Sequence, residues 1–482
     1  MKLNKSLFGL MAITLVLAFV ATGCVPANTT QTTEPAATEA AAVEAPATEA
    51  AATEAPQPET FAVPEADTTI TMWMLQEVDA YTQSIKDTIA AFEAENPSVT
   101  IELETTTADA WYSKIMTAMQ SGSLPDIMYV DSINKVSVLY GKDVLEPVDG
   151  LIDAIGRDEF SARVLTRYTQ DESIWSIPDV VLYEAIFYRT DLFEKYGIEI
   201  PQTWEELYEA AGKLTIDENG DGTPDIYGMA IPLSKNMVAD QTYGQYMYAN
   251  GVHIFNPETG AYEFGSKKTE AAEALDAMVK MYQLASPPSS INWAWSDYRS
   301  AFIEGKTAMT PGWGAEIAMA QSENPEMLDK IGIFAFPAGP SSTQDPADTV
   351  GDAKSICLIK GTDADRTAAS KAFLMYFMQP ETQANRANTR PVFAIPSTSS
   401  AFNSSVYQSN AMVQKFSEET KMLFDEVIPY TYRTGGEGGL NPAGGSIEAT
   451  MILGNAIQNV LLEGWTVDQA VDWIDEQIQL LF

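Results

Sequence analysis

Residues 175–214 read WSIPDVVLYEAIFYRTDLFEKYGIEIPQTWEELYEAAGKL and carry the pattern that decides the fold. Residues 179–188 are rich in Val, Leu, Ile, Phe and Tyr, which predicts a strand. Pro178 stands at its start, where a missing N–H is tolerated. Glu184 is a carboxylate inside this otherwise apolar strand. Because burying it without a partner would be costly, we expect Glu184 to lie on an open face or to bind something.

The rest of the same stretch predicts two helices. Residues 191–196 form a short helical pattern, and Gly197 is placed to end it in the left-handed conformation. Thr203 and Glu206 form a capping box, in which each side chain can accept a hydrogen bond from the other residue's free N–H. Apolar residues at helical spacing then predict an amphipathic helix over residues 204–214.

This arrangement resembles the signature of the family 1 extracellular solute-binding proteins, the maltose-binding-protein-like receptors of ABC importers. The family pattern is a small residue, two apolar residues, Tyr, Asn or Asp, an apolar residue and Lys, and the residues that fit it are Ala185, Ile186, Phe187, Tyr188, Phe193 and Lys195. Arg189 departs from the pattern, since it stands where the family has Asn or Asp. The run that follows is also typical of the family, through Pro201, Thr203, Trp204, Glu206 and Leu207.

The resemblance extends from about residue 67 to the C-terminus and implies an α/β, two-lobed periplasmic-binding-protein-like fold with a hinge between the lobes. In maltose-binding protein the matching strand crosses between the lobes, and an acid of its EAL run touches sugar. Residues 184–186 match that run. The resemblance therefore implies a receptor that binds a carbohydrate and delivers it to the membrane subunits of an ABC permease.

Strands that alternate with helices support an α/β lobe with a largely parallel sheet at the start of the folded part. Strands are predicted at residues 69–75, 99–103, 125–130, 226–231, 331–336 and 350–359. We assign residues 67–180 and 350–396 to the first lobe and residues 181–349 and 397–482 to the second, with the return crossings implied by the family. Ligands of such sheets bind beyond the carboxyl ends of the strands, so the site should lie there.

The N-terminus predicts export and anchoring. Residues 1–23 have the cationic start and apolar run of a secretory signal, and the run is too short to span a membrane. Gly23 and Cys24 resemble a bacterial lipobox, although Ala21 stands where Leu is usual. We expect lipid on Cys24; the alternative is an ordinary signal peptide with an incidental cysteine. Residues 24–66, rich in Ala, Thr, Glu and Pro, predict a disordered linker. The protein is thus expected outside the cytoplasm, anchored to the cell membrane.

The composition limits the partners and the chemistry. The 482 residues carry a net charge of −39, which opposes binding to nucleic acid or to an anionic membrane surface. Such acidity would suit a cationic ligand, but more commonly it only keeps a surface soluble. His253 is the one histidine, so a histidine triad or a multi-histidine metal site would have no spare histidine, and the sequence gives catalysis little support. We expect a monomer that is not an enzyme and holds no organic cofactor.

Nine residues are candidate ligand contacts, and for each the alternative is core packing or a solvated position. Glu184, and Asp131 at the end of the third strand, offer carboxylates to hydroxyl groups, while flat aromatic faces suit the apolar faces of sugars. In the family, a run like residues 302–309 precedes a strand that ends in a sugar-stacking aromatic, which Trp313 matches. The remaining candidates are Trp73, Tyr183, Trp293, Trp295, Asp352 and Arg433.

One further pattern is typical of a structural metal site. Oxygen-bearing residues alternate as in an EF-hand calcium loop with Gly222 at the sixth position, and the candidate ligands are Asp217, Asn219, Asp221, Thr223 and Asp225. Gly228 occupies the twelfth position, where the usual Glu is missing. The pattern favours a structural calcium ion over the alternative, a polar turn built from ordinary turn-forming residues.

Other functions stay open on the sequence. The same fold could bind a non-sugar polar or cationic solute, two of the many carboxylates could form a glycoside hydrolase pair, and a stalked surface protein could act as an adhesin or scaffold. One small-molecule site around Glu184, Asp131 and Trp313 would separate a receptor from a scaffold. Turnover of a glycoside would identify a hydrolase.

Overall fold

The computed structural model of the protein describes residues 61–361 and 363–482. The predicted signal segment, the lipidation site Cys24 and most of the predicted linker lie outside these residues. Phe61 and Val63, which the sequence analysis placed in the linker, pack against the core around the first sheet, because both are apolar. None of the described helices is long and apolar enough to cross a membrane.

The strands of the described part are numbered in chain order. They are β1 Thr68–Leu75, β2 Val99–Thr106, β3 Ile127–Val130, β4 Leu145–Glu146, β5 Thr169–Gln170, β6 Ser173–Ile174, β7 Ile177–Tyr183, β8 Ala185–Arg189, β9 Met309–Gly312, β10 Ile331–Phe334, β11 Thr349–Ile359, β12 Ile395–Pro396 and β13 Thr431–Tyr432.

The α-helices are numbered in the same way. They are α1 Asp79–Glu95, α2 Ala108–Ser121, α3 Ile133–Gly141, α4 Asp149–Ile155, α5 Ala162–Arg167, α6 Thr190–Tyr196, α7 Trp204–Lys213, α8 Met237–Ala249, α9 Lys268–Ala285, α10 Trp295–Ile303, α11 Ala315–Glu323, α12 Ala364–Phe377, α13 Pro380–Ala387, α14 Ser399–Phe402, α15 Ser405–Gln408, α16 Ala411–Lys415, α17 Ser417–Met422, α18 Pro442–Thr450, α19 Ile452–Glu463 and α20 Val467–Gln479.

The helix boundaries around the signature stretch follow from local chemistry. Gly197 ends α6 at φ 60°, in the left-handed conformation that the sequence predicts. The Thr203 side chain accepts from the Glu206 N–H at 3.2 Å and begins α7. The Glu206 carboxylate, however, accepts from the Gln202 N–H at 2.7 Å, one residue before the predicted partner.

The first sheet has the order β12-β7-β11-β3-β1-β2, with β4 and β13 paired to β11. Strands β1, β2 and β3 are parallel. Parallel neighbours need a long crossover connection, which helices α1 and α2 supply here. Strand β11 runs antiparallel to both β3 and β7, so the sheet is mixed rather than largely parallel. The antiparallel direction arises because β11 enters the sheet from the opposite side, after the chain has passed through the second sheet.

The second sheet has three antiparallel strands in the order β10-β8-β9. The chain passes from β7 in the first sheet to β8 in the second across the single residue Glu184. Residues 226–231, predicted as a strand, form only isolated bridges at Ile226 and Tyr227. Gly228 explains the break, because its backbone is so close to α7 that an added Cβ would lie 1.9 Å from the carbonyl oxygen of Ala211.

Two large hydrophobic cores lie on either side of β8. Phe187 belongs to the core that includes the first sheet, whereas Ile186, which alternates with it along the strand, belongs to the core that packs around α7, α8 and α9. Residues from 397 onward, assigned to the second lobe by the sequence analysis, divide between the two cores. Phe402 and Leu423 pack in the first core, and Leu453 and Ile474 pack in the second.

A buried ion pair joins strand β7 of the first sheet to helix α13. The side chains of Asp179 on β7 and Arg386 on α13 are both fully buried, with Asp179 Oδ1 2.5 Å from Arg386 Nη2. Tyr129 on β3 donates to Asp179 Oδ2 at 2.8 Å, and Arg386 Nε donates to the same oxygen at 3.1 Å. Removing one partner would leave the other charge buried without compensation.

We therefore expect Arg386→Ala to lower the free energy of unfolding by about 3–5 kcal/mol. Arg157→Ala is the matched control, because Arg157 is 48% exposed and its ion pairs lie at the surface, where such pairs contribute about 0–1 kcal/mol. Urea denaturation of the two variants measures both values. An equal cost for the two substitutions would mean that the buried pair does not stabilise the first lobe.

Candidate ligand-binding site

Glu184 is held at the junction of the two sheets by its main chain. Its N–H donates to the carbonyl of Val350 at 2.8 Å, and its carbonyl accepts from the Thr349 hydroxyl at 3.0 Å. Glu184, at which the chain leaves the first sheet, is therefore hydrogen-bonded to the first residues of β11, the strand by which the chain returns to it. The carboxyl group of Glu184 is 4% exposed and accepts from the indole N–H of Trp313 at 2.8 Å through Oε2. Its Oε1 is buried without a hydrogen-bond partner.

Trp313 reaches Glu184 because β9 pairs with β8. Gly312, the last residue of β9, lies opposite Ala185, and an added Cβ there would be 2.4 Å from the Phe187 ring. Gly314 follows at φ 90° and begins α11, which turns the chain away immediately after the tryptophan. Trp295 meets Trp313 edge-on with the ring centroids 6.3 Å apart, and Arg299 lies 5.2 Å from the Trp295 ring.

Aromatic and apolar residues from the first sheet and from helices α8 and α10 surround this indole. The group consists of Leu182, Tyr248, Trp313, Val350 and Tyr432, with Trp295 and Phe393 packed against it. Both strands that cross between the sheets contribute to it. The cluster therefore gives the junction an apolar wall beside the Glu184 carboxyl group, as ligand sites commonly have.

A second group of charged side chains lies at the carboxyl end of β3. Asp131 pairs with Lys135 at 2.6 Å, one turn along α3. Asp352 on β11 accepts from the N–H of Ile133 at the start of α3 at 3.2 Å. Its other oxygen, Oδ2, lies 3.8 Å from Arg433, whose guanidinium also donates to Glu448 at 3.0 Å.

The pKa values indicate how burial acts on these acids. Burial raises the pKa of Glu184 to about 8, although the bond from Trp313 opposes the rise. Burial also raises the pKa of Asp352 to about 6, against the pull of Arg433. Burial acts in the same direction on Asp131, but Lys135 and the neighbouring cations lower its pKa overall. At neutral pH the Glu184 carboxyl is thus mostly protonated, so it can donate as well as accept.

Six of the nine candidate residues lie in one neighbourhood. Glu184 and Trp313 are bonded, Trp295 touches Trp313, and Asp352 lies beside Arg433. Arg433 acts electrostatically on Glu184 and on Asp131, which connects the two groups.

The structure does not bring the other three candidates to this place. Tyr183 precedes Glu184 and points the opposite way, donating to the carbonyl of Val392 at 2.9 Å inside the first core. Trp73 lies against α2 with the ammonium group of Lys114 3.8 Å from its ring centroid. Trp293 packs against Val238 and Tyr298 rather than in the cluster around Trp313, although Trp295 packs against both groups.

Several polar residues near the junction were missed by the sequence analysis. Arg299 donates to the buried Glu316 at 3.0 Å, and Lys354 and Arg390 both pair with Glu77 just after β1. Glu77 itself follows the carboxyl end of the parallel strand β1, where the site was expected, but its two cationic partners were not predicted. Gln245 on α8 was also missed; its Oε1 accepts from the Val350 N–H at 3.0 Å, and its Nε2 is buried without a partner.

Comparison with known proteins decides the family. A family model described as bacterial extracellular solute-binding protein matches residues 87–415, more than half of the chain. This chain is a bacterial extracellular solute-binding protein. Its family consists of binding proteins rather than enzymes, and it belongs to the ABC type. The family also places it outside the cytoplasm.

Relatives and solved structures agree with this family. YcjN of Escherichia coli K12, named as an ABC transporter periplasmic-binding protein, is 24% identical over 350 residues, which are 71% of this chain and 76% of YcjN. The mannitol-binding protein of Pseudomonas aeruginosa is 26% identical over 180 residues, 36% of this chain and 39% of that protein. Maltose-bound MalE3 of T. maritima has a TM-score of 0.67 at 18% identity, covering 86% of this chain and all of MalE3.

The GacH receptor of Streptomyces glaucescens, solved unliganded and with acarbose, has a TM-score of 0.66 at 18% identity over 86% of this chain and 98% of the receptor. At such identities the likeness shows the fold alone. It confirms the two-lobed periplasmic-binding fold for this solute-binding protein.

The loop predicted to bind calcium is a turn whose carboxylates bond its own backbone. Asp217 accepts from the N–H groups of Gly220 and Gly222 at 2.7 and 2.8 Å, and these bonds lower its pKa. Asp225 accepts from the Glu218 N–H at 2.8 Å. Among the described residues no group of three or more acidic, histidine or cysteine side chains is arranged to hold a metal ion. Calcium binding stays a prediction.

The pKa of Glu184 predicts how stability depends on pH. Between its ordinary value of 4.5 and its folded value of about 8, the folded state keeps a proton that the unfolded state has lost. The free energy of unfolding must then fall as pH rises through this range. Each pKa unit of difference corresponds to about 1.4 kcal/mol.

Glu184→Gln should remove this contribution, so the variant should gain stability over the wild type as pH rises from 5 to 8, by at least about 1.4 kcal/mol. Denaturation at several pH values measures the difference between the two proteins. Comparing them cancels the similar effect of Asp240, whose pKa burial raises to about 7. Parallel stability curves for the two proteins would contradict a proton on Glu184.

The calcium prediction has its own test. If calcium binds residues 217–225, chelation should lower the melting temperature of the wild type but not that of Asp221→Ala, because that variant lacks a central ligand. Differential scanning calorimetry with added calcium and with chelator measures this. Equal melting temperatures in the two conditions would leave the polar turn as the account of the loop.

Proposed function

We propose that this solute-binding protein binds a carbohydrate at the junction of its lobes, between Glu184 and Trp313, and delivers it to an ABC permease. The observation that carries the proposal is the half-satisfied carboxyl group of Glu184. One oxygen accepts from Trp313, while the other is buried without a partner at the crossing between the sheets. A buried polar atom without a partner is costly unless a ligand bonds it.

The protonation of Glu184 supports a hydroxyl-bearing ligand. With a pKa of about 8, the carboxyl group is neutral at pH 7 and can donate a hydrogen bond or accept one. Sugar hydroxyl groups do both. The side-chain amide of Gln245, whose Nε2 is also buried and unpartnered, would add a donor beside the same crossing. Trp313 offers an apolar ring next to these polar atoms. A sugar has the matching combination of hydroxyl groups and apolar C–H faces.

The charges around the junction support an uncharged ligand. Most cations there have an acidic partner of their own: Arg433 pairs with Glu448, Lys135 with Asp131 and Arg299 with Glu316, while Lys354 and Arg390 share Glu77. Burial raises the pKa values of two acids there, Glu184, which has no ion pair, and Asp352, which lies 3.8 Å from Arg433. A cationic solute would need them ionised, and an anionic solute would need an unpaired cation. A neutral polyhydroxyl ligand requires neither.

The comparisons also favour a carbohydrate or a related polyol. The similar proteins include a mannitol-binding protein and receptors solved with maltose, ribitol and acarbose. These ligands differ in size but share adjacent hydroxyl groups on a carbon frame. Lipid on Cys24, followed by the Ala/Thr/Glu/Pro linker, would keep such a receptor close to its permease.

The ligand proposal is tested by titration calorimetry against neutral sugars and sugar alcohols. Glu184→Ala should weaken binding by about tenfold to a hundredfold, because it removes a buried hydrogen bond to the ligand. Glu184→Gln should weaken it much less at pH 7, since an amide retains a donor and an acceptor. Trp313→Ala should cost about as much as Glu184→Ala.

Trp73→Ala is the matched control, because Trp73 lies against α2 and away from the junction. It should leave the affinity unchanged. Equal affinities in the wild type and in both Glu184→Ala and Trp313→Ala would place the ligand elsewhere. Binding of cationic solutes in place of sugars would overturn the carbohydrate class but keep the receptor function.

The anchoring proposal is tested separately. Cys24→Ser should prevent lipid attachment, so the protein should appear in the soluble extracytoplasmic fraction instead of the membrane fraction. Cell fractionation and mass spectrometry of the N-terminus measure the result. An unlipidated N-terminus in the wild type would favour an ordinary secreted protein.

A further inference from the structure

A cavity of about 520 Å³ lies between helix α5 of the first lobe and the loop residues 251–263 that follow α8. Its volume is within the range of small-molecule sites, roughly 300–1,000 Å³. Arg167, His253, Asp348, Tyr432 and Glu437 are among the residues that line it. Glu184 and Trp313 do not line it, but Tyr432 belongs both to its lining and to the aromatic cluster around Trp313, so the cavity adjoins the junction described above.

Arg167 is the unusual residue of this cavity. It is the last residue of α5, is only 3% exposed, and has its Nε and Nη2 atoms buried without any hydrogen-bond partner. These two nitrogen atoms form one edge of the guanidinium, which carries two parallel N–H donors. Such an edge matches the two oxygens of a carboxylate. A buried arginine without a partner on this edge is costly, and an anion would offset the cost.

Two acids of the cavity, Asp348 and Glu437, are already bonded to other groups. Asp348 lies 3.5 Å from Arg163 and 3.3 Å from His253. Glu437 accepts from the Tyr248 hydroxyl at 2.7 Å through Oε1. Arg167 has no such partner among them. The lining therefore includes one arginine with an unbonded guanidinium edge.

Two further unbonded atoms lie in the same lining. The Oε2 atom of Glu437 and the Nε2 atom of His253 are buried without hydrogen-bond partners, although His253 Nε2 is near Asp348. Both belong to the side of the cavity formed by the second part of the chain, across from α5. They would bond polar groups on the part of a ligand that extends away from Arg167.

We propose that this cavity is a second ligand site that binds a small organic carboxylate, with Arg167 as its anchor. The Nε–H and Nη2–H groups of Arg167 donate to the two carboxylate oxygens. Glu437 and His253 contact hydroxyl or carbonyl groups elsewhere on the ligand. None of these three side chains is bonded to Glu184 or Trp313, although Glu437 accepts from Tyr248, which packs in the cluster around Trp313.

The test is thermal unfolding of the protein in the presence of succinate, citrate or lactate, each compared with chloride at equal ionic strength. At least one carboxylate should raise the melting temperature beyond chloride, since a ligand that binds only the folded state stabilises it. Arg167→Gln should abolish this rise, and Arg167→Lys should weaken the affinity by about tenfold or more, because lysine keeps the charge but not the paired donors.

Two controls keep the test decisive. Arg157→Gln removes an exposed arginine from the same lobe and should leave the carboxylate effect intact. In chloride alone, Arg167→Gln should unfold at or above the wild-type temperature, because it removes a buried guanidinium edge that has no hydrogen-bond partner, although Asp352 then loses the attraction of that charge. A lower midpoint in chloride would instead show that Arg167 is structural and would overturn the proposal.

Three other results would overturn it as well. They are a carboxylate effect no larger than that of chloride, a carboxylate effect that persists in Arg167→Gln, and a response to inorganic phosphate with none to the carboxylates. Sugar titrations on Arg167→Gln separate this proposal from the first one. Normal sugar affinity with a lost carboxylate effect supports the second site whether or not Glu184 binds sugar.

Discussion

The carboxyl group of Glu184 is the constraint on which the arrangement of the two lobes depends. It lies where the chain leaves β7 for β8, and its main chain is bonded to the first residues of β11, the strand that returns. An acid at that depth has to be neutral or bonded. Trp313 supplies one bond, and it can do so only because β9 pairs with β8 and ends in Gly312, where a side chain would collide with Phe187. The second sheet thus serves to bring an indole to an acid of the crossing strand.

The first lobe supplies a rigid edge to this junction. Asp179 and Arg386 join β7 to α13 in the core, five residues before Glu184 along the strand direction. On the neighbouring strand β11, opposite Leu182, Asp352 is held by the start of α3 and by Arg433. Charges fixed in this way change little when a ligand arrives, so binding does not have to order them. The cost is a set of buried acids with raised pKa values, which makes the folded state sensitive to rising pH.

The sequence analysis identified the residues whose chemistry contradicts their surroundings. Glu184 in an apolar strand and Trp313 in a glycine loop were anomalies, and the structure bonds them to each other. Strand alternation would have removed Tyr183, since neighbours along a strand point to opposite sides. Lys354 and Arg390 could not be found in this way, because each meets Glu77 across about 300 residues of chain, and no local pattern records such a pair. The break at Gly228 was equally hidden, because it arises from the approach of α7.

The central claim is that a ligand completes the bonding of Glu184. A crystal structure of the protein with a bound sugar tests it most directly. The account predicts a sugar oxygen within hydrogen-bond distance of Glu184 Oε1 and a sugar ring beside Trp313, with the indole bond to Oε2 retained. A bound sugar that leaves Oε1 without a partner, or that lies away from Trp313, would contradict it.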